Sequence, residues 1–175
     1  MNNKTILVRD ITSLSEARYC AGMLVDFICF EFNPNSENYL LDSKRTEITE
    51  WLSGAKLLGT FRNGSLSEIK TTLENYRLDG FLFENEQANY VNAILTDHKF
   101  LEIDSNTDLK RVSDDVYTLS NTMIDREKHL LGYDFSNPFN SPNSHGFAFN
   151  GSQEQRPGYN AYDDLMDAFE VIENI

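Results

Sequence analysis

The sequence is short of cysteine, of histidine, of basic residues and of long apolar runs, and each shortage excludes something. Its two cysteines, Cys20 and Cys29, fall in a segment patterned as helix and one patterned as strand. They have neither metal nor redox spacing, so buried, reduced thiols are expected. The three histidines, His98, His129 and His145, are scattered and make no metal motif. They read as surface or loop residues, and neither a metal nor a cofactor is expected. Lys and Arg number 15 against 28 Asp and Glu, a formal net charge of −13. That balance opposes unspecific nucleic-acid binding, because phosphates are repelled. An anionic ligand would need local cations or backbone N–H nests. The same excess also describes a well-solvated acidic surface, with Asp163, Asp164, Asp167, Glu170 and Glu173 crowded near the C-terminal end. No stretch approaches the roughly 20 apolar residues that cross a membrane. Met1 to Lys4 leads into a strand without the apolar run of a signal peptide, so a cytoplasmic protein without membrane partners is expected.

What is present is 40% hydrophobic and 12% aromatic residues over 175 positions, enough for one folded domain spanning 1–175. The chain opens on Ile6-Leu7-Val8-Arg9, an apolar, β-branched run ending at a cation, followed by Ser13 and Glu16 in capping-box spacing. A helix with the stripe Ala17, Cys20, Ala21 and Leu24 follows, and Gly22 inside it suggests close packing against a neighbour. The unit then recurs. Strands are expected at 26–32, 56–61 and 80–83. Helices are expected through Ile48, Trp51 and Leu52, through Ile69, Leu73 and Tyr76 behind a Ser65–Glu68 capping box, and through Tyr90, Val91 and Ile94. Strands at 100–103, 116–119 and 129–131 come too close together for full crossover helices; only a weak helix near Leu109 fits between the first two. A Ser-, Asn- and Pro-rich loop covers 132–144, a strand 146–149, and a last helix buries Leu165, Ala168, Phe169 and Ile172.

Alternating strand and helix units imply parallel strands with right-handed crossovers. Eight of them point to an α/β fold of the TIM (β/α)8 barrel type, with helices after strands 5 to 7 shortened or missing, since such barrels typically take about 250 residues. Apolar strand faces left bare after strands 5 and 6 would need covering, which suggests a homodimer. A doubly wound open sheet is the alternative, but it calls for a glycine-rich loop after the first strand, and Arg9-Asp10-Ile11-Thr12 is not one.

Several segments in order carry a resemblance. These are residues 10–18, 26–36 with its Asn33-Pro34-Asn35-Ser36 end, Gly59-Thr60-Phe61-Arg62-Asn63, 78–83, and the tail Gly146-Phe147-Ala148-Phe149-Asn150-Gly151-Ser152 through Arg156-Pro157-Gly158. Together they resemble the phosphoribosylanthranilate isomerase family; residues between about 99 and 144 align only loosely. The resemblance implies an Amadori rearrangement in tryptophan biosynthesis, which opens an aminoribose phosphate to an aminoketose phosphate. It also implies a phosphorylated small molecule as ligand. The family's general base, a cysteine at the end of strand 1, corresponds to Arg9, and its general acid, an aspartate at the end of strand 6, to Ser120. An arginine side chain stays protonated and cannot act as base, and a serine hydroxyl without an activating neighbour is a poor acid. The family's substrate-binding arginine corresponds to Asn38, and its paired strand 7 glycines to Gly132-Tyr133. The turn Asn150-Gly151-Ser152 keeps a shape able to offer N–H groups to phosphate, though these residues also simply make turns.

Two readings of Arg9 stand side by side: an anchor for an anionic ligand, or a structural ion pair with Glu31, Glu84 or Glu102. Glu154 is either a relic of the family pattern or an ordinary loop carboxylate. Residues 133–144 form either a lid or the remnant of an eroded helix. The expectation from the chemistry is a relative that no longer performs the isomerisation at a useful rate.

Overall fold

The computed structural model describes residues 4–152 and 162–175; Glu154 and the Arg156-Pro157-Gly158 run lie outside them. Eight parallel strands close into a barrel in sequence order, the first pairing with the last. They are β1 (Thr5–Arg9), β2 (Phe27–Glu31), β3 (Lys56–Thr60), β4 (Gly80–Phe83), β5 (His98–Glu102), β6 (Tyr117–Ser120), β7 (His129–Gly132) and β8 (Gly146–Asn150). The open-sheet alternative falls, because Leu7 pairs with both Phe27 and Ala148, which leaves β1 no free edge.

Period-two alternation sorts each strand into an inward and an outward set. Leu7, Cys29, Leu58, Leu82, Phe100, Leu119, Leu130 and Ala148 fill the barrel. Ile6, Val8, Ile28, Phe30, Phe147 and Phe149 face outward and are sealed by α1 (Leu14–Gly22), α2 (Asp42–Trp51) and α5 (Asp163–Asn174). Phe81, Phe83 and Leu101 meet Ile69 of α3 (Leu66–Asn75) and Val91 of a 3-10 helix at Asn85–Ala93. That 3-10 segment stands where an α-helix through Tyr90, Val91 and Ile94 is expected from the sequence. A second 3-10 turn at Leu109–Arg111 is the weak helix, and α4 (Asn137–Asn140) is the single turn in the 132–144 loop.

Several local expectations need correction. Leu24 lies past the end of α1, at φ 57° and 61% exposed, so it does not extend the buried stripe. Gly22 is exposed and a Cβ there would meet nothing, so no neighbour demands a glycine. Trp51 is exposed, with the Arg18 guanidinium 4.3 Å over its ring. His129 is buried on β7 rather than lying at the surface.

The bare apolar face expected beyond β5 and β6 is also absent. Leu101, Val116 and Leu131 are buried, and the outward residues between them, Thr118 and His129, are polar and satisfied locally. His129 Nε2 donates to the Thr122 carbonyl at 3.0 Å, and in that neutral tautomer Nδ1 accepts from Thr118 Oγ1 at 3.0 Å. Arg126 Nη2 donates to the Ser113 carbonyl at 2.5 Å and to that of Val116 at 3.4 Å. The face therefore needs neither a crossover helix nor a second copy to cover it.

Candidate functional site

The alternation that fills the barrel with carbon brings one further side chain from several strands to its C-terminal mouth. On that inward register Arg9, Glu31, Thr60, Glu102, Gly132 and Asn150 form a layer above the apolar plug. This is the end at which barrels of this class place their chemistry.

Arg9 is held on three sides. Its Nη1 donates to Glu102 Oε1 at 2.7 Å, and its Nε donates to Asn150 Oδ1 at 2.8 Å and lies 3.5 Å from Asp10 Oδ2. The ring of Tyr133 lies 3.8 Å beneath its guanidinium carbon, a cation–π contact. Of the three carboxylates that the sequence offers Arg9, it takes Glu102. Glu31 goes instead to Arg62 Nη1 at 3.0 Å, and Glu84 accepts the Asn63 amide at 2.7 Å.

Arg62 is the second cation of the mouth, and the sequence gives it no role beyond a place in the strand 3 motif. Its Nη2 donates to Asp10 Oδ2 at 2.6 Å. Asp10 thus joins the two guanidinia, so one chain of charges runs Glu31–Arg62–Asp10–Arg9–Glu102. The detectable signal was its position two residues past Thr60, the partner of Glu31 in the β2–β3 register. Three carboxylates face two guanidinia, a balance that favours internal pairing over capture of an anion.

The environment shifts several groups. Burial raises the pKa of Glu31, opposed by the Asn33 and Arg62 amides and the Arg62 guanidinium. Burial works against the charge of Arg62, but Asp10 and Glu31 outweigh it and hold its pKa above the usual value. Burial pushes the Cys29 thiol well up, so this cysteine beneath the mouth is no ready nucleophile. The Tyr133 hydroxyl is likewise raised by burial, opposed by Arg9 and reinforced by Glu102. That hydroxyl and Asp10 Oδ1 are shielded from water without a partner in hydrogen-bonding geometry. Tyr133 also holds φ 54° and Asp10 φ 61°, a left-handed conformation that disfavours a bulky side chain more than an aspartate.

The other residues singled out from the sequence are spread around this layer. Ser120 shares the outward register of Thr118, and its hydroxyl donates to the Thr122 carbonyl at 2.8 Å. It makes no bond to Arg9. Asn121, the next residue, places its amide oxygen 3.6 Å from where a Cβ on Gly132 would lie. Gly132 closes β7 and its carbonyl accepts the Asp134 amide at 2.9 Å. Asn38 sits in the β2–α2 loop, where its amide donates to Ser36 Oγ at 3.3 Å.

In the turn after β8, the Gly151 amide donates to the Arg9 carbonyl at 2.6 Å. The Ser152 amide and hydroxyl both donate to Glu16 Oε1, at 2.8 and 3.0 Å. Glu16 is fully buried, and although its amide caps on Ser13 as the spacing predicts, its carboxylate crosses to β8. The N–H groups of 151 and 152 are thus already in use. An incoming anion would have to displace a backbone carbonyl and a buried carboxylate.

No family model matches the sequence, and no curated protein matches it. Solved structures do. A phosphoribosyl anthranilate isomerase in complex with reduced 1-(o-carboxyphenylamino)-1-deoxyribulose 5-phosphate superposes with a TM-score of 0.73 at 16% identity, covering 98% of this chain and 100% of that one. The phosphoribosyl anthranilate isomerase of Thermus thermophilus gives 0.71 at 15%, covering 97% and 98%. TrpF from Jonesia denitrificans gives 0.70 at 9%, covering 98% and 97%. The chain shares the closed barrel fold of these structures over 97–98% of its length.

Proposed function

We propose that this chain is a diverged relative of phosphoribosylanthranilate isomerase that keeps the barrel without the isomerisation, and acts as a non-catalytic binding or scaffolding protein. The observation that carries the reading is the state of Arg9 at the end of β1. A proton-abstracting base must be free to accept a proton at the substrate carbon. Arg9 offers only donors, and its Nε and Nη1 are bonded to Asn150 and Glu102.

The acid side of the reaction fares no better. Neither Ser120 nor its neighbour Asn121 is a carboxylic acid, and the Ser120 hydroxyl is spent on its own turn. The Tyr133 ring packs against the Arg9 guanidinium and takes up a further face of that cation. At the β8 turn the Gly151 and Ser152 amides are internally bonded, which argues against tight phosphate binding there.

The test is rescue of a bacterial tryptophan auxotroph that lacks the isomerase. No growth is expected at normal expression, with the protein shown to be soluble and folded in the same cells. Growth would overturn the reading. It would then direct attention to Glu31, the mouth carboxyl whose pKa burial raises, as the group able to exchange a proton.

A further inference from the structure

Beside the mouth, at the same end of the barrel, a cleft of about 690 Å³ opens between the β2–α2 loop, the β3–α3 loop and the flank of α3. We propose that this cleft binds a neutral saccharide ring. Its walls carry Phe32, Tyr39, Phe61 and Tyr76, contributed by three different segments of the chain. Its rim carries the side-chain amides of Asn35, Asn63 and Asn75 with the hydroxyls of Ser67 and Thr71. Those three amides make no hydrogen bond within the described protein, so each offers a donor and an acceptor to a ligand.

Three features select the ligand. The lining has no lysine or arginine, and its one charged residue, Glu68, is engaged with the Ser65 amide and hydroxyl at 2.8 and 2.7 Å. A phosphate or carboxylate therefore finds no counter-charge, and the net charge of −13 repels it further. The Phe32 and Tyr76 rings, 4.7 Å apart, are inclined at 56°. Inclined rings cannot sandwich a flat base; Phe32 is buried with the Arg45 guanidinium 4.0 Å from its ring, and the half-buried Tyr39, Phe61 and Tyr76 rings form the apolar wall offered to the C–H face of a sugar. Apolar walls with a few converging neutral polar groups are the composition expected of a small-molecule site.

The cleft is also fixed in place before any ligand arrives. Asn33 Nδ2 ties the β2 loop to the Arg62 carbonyl at 2.7 Å, and Asn33 Oδ1 accepts from the backbone N–H of Asn35 at 2.9 Å. Gln87 Nε2 donates to the Phe61 and Gly64 carbonyls, both at 2.9 Å, and so holds the β3 loop. Pre-organisation of this kind reduces the ordering cost of binding.

The experiment follows backbone amide NMR signals of the full chain during titration with glucose, N-acetylglucosamine, ribose and cellobiose, and with glucose 6-phosphate as the charged counterpart. At least one neutral sugar is expected to give saturable shifts centred on Asn63, Thr71 and Asn75, with millimolar affinity. The phosphorylated sugar is expected to bind at least about tenfold more weakly. Thr71→Trp, at an exposed helix position, fills the cleft and is expected to abolish the shifts while the remaining signals keep their dispersion. Asn35→Ala with Asn75→Ala is expected to weaken binding about tenfold. Silence with every neutral sugar, shifts that survive Thr71→Trp, or preference for the phosphorylated form would each overturn the proposal. Growth of the tryptophan auxotroph would leave this site standing, since it shares no residue with the Arg9 mouth.

Discussion

The two halves of the barrel solve one problem in different ways. From β1 to β4 the outward face of each strand is hydrocarbon, Ile6, Val8, Ile28, Phe30, Phe81 and Phe83, and helices or a 3-10 helix lie across it. On β6 and at the start of β7 it is Thr118 and His129, ahead of the buried Leu131, and a loop lies across them whose carbonyls and Arg126 complete the hydrogen bonds. An apolar face must be shielded over its whole area, whereas a polar face needs only partners at particular atoms. A barrel shorter than usual is therefore no incomplete barrel. Where the strand presents polar groups, a few loop residues do what a crossover helix does elsewhere.

That contrast can be broken from either side. The largest loss is expected from Ile69→Ala, which empties a fully buried site between α3 and β4 and should cost about 2–5 kcal/mol in denaturant unfolding. A value below that of a surface substitution would mean that α3 does not seal the face.

In the helix-poor half, His129→Phe keeps the volume but removes two hydrogen bonds, to the Thr118 hydroxyl and to the Thr122 carbonyl, which keep the Lys128 carbonyl and the Ser120 hydroxyl as partners. A loss of about 1–3 kcal/mol is expected. The same residue should make this half acid-sensitive. Burial lowers the pKa of His129 below the ordinary imidazole value of 6.5, so the folded form favours the neutral ring. Its stabilising contribution is complete above about 6.5 and is lost as pH falls through the lower folded value, where the unfolded chain takes up a proton that the folded chain resists. Stability measured from pH 7 downward should fall less steeply in His129→Phe than in the parent; equal slopes would remove His129 as the cause.

The smallest effect is expected from Ser65→Ala. The substitution removes one side of the α3 capping box on an exposed helix end and should cost about 0.5–2 kcal/mol in the same unfolding measurement. A loss as large as that of Ile69→Ala would show that the cap, and not the burial, holds α3 on the barrel.

The legible part of this structure was the local part. Short apolar runs marked all eight strands to within two residues at each end, with β4 found at Gly80–Phe83 as expected. The Ser65–Glu68 spacing produced its reciprocal cap, and Leu165, Ala168, Phe169 and Ile172 are the buried face of α5. What the sequence concealed was partner choice across the barrel. Glu16 obeys its cap through its backbone yet sends its carboxylate to Ser152, 136 positions away. Arg62 is only one residue of the strand 3 motif until closure sets it between Asp10 and Glu31. Such pairings depend on which strand ends meet in three dimensions, and periodicity carries no information about that. Trp51 fails for a related reason: its helix has room for one inward row, and Ile48 occupies it.

The seam between β1 and β8 has a kinetic consequence. Thr5 pairs with Gly146, Arg9 pairs with Asn150, and Lys4 Nζ reaches the Pro142 and Ser144 carbonyls. These pairings close the longest loop in the chain, so their entropic cost falls due after every shorter pairing is in place. During synthesis β1 is made first and waits for a partner that is made last. Until β8 arrives, the curved sheet has two open edges, each able to recruit a strand from another chain. Conditions that slow this final closure should therefore be the ones under which the protein aggregates.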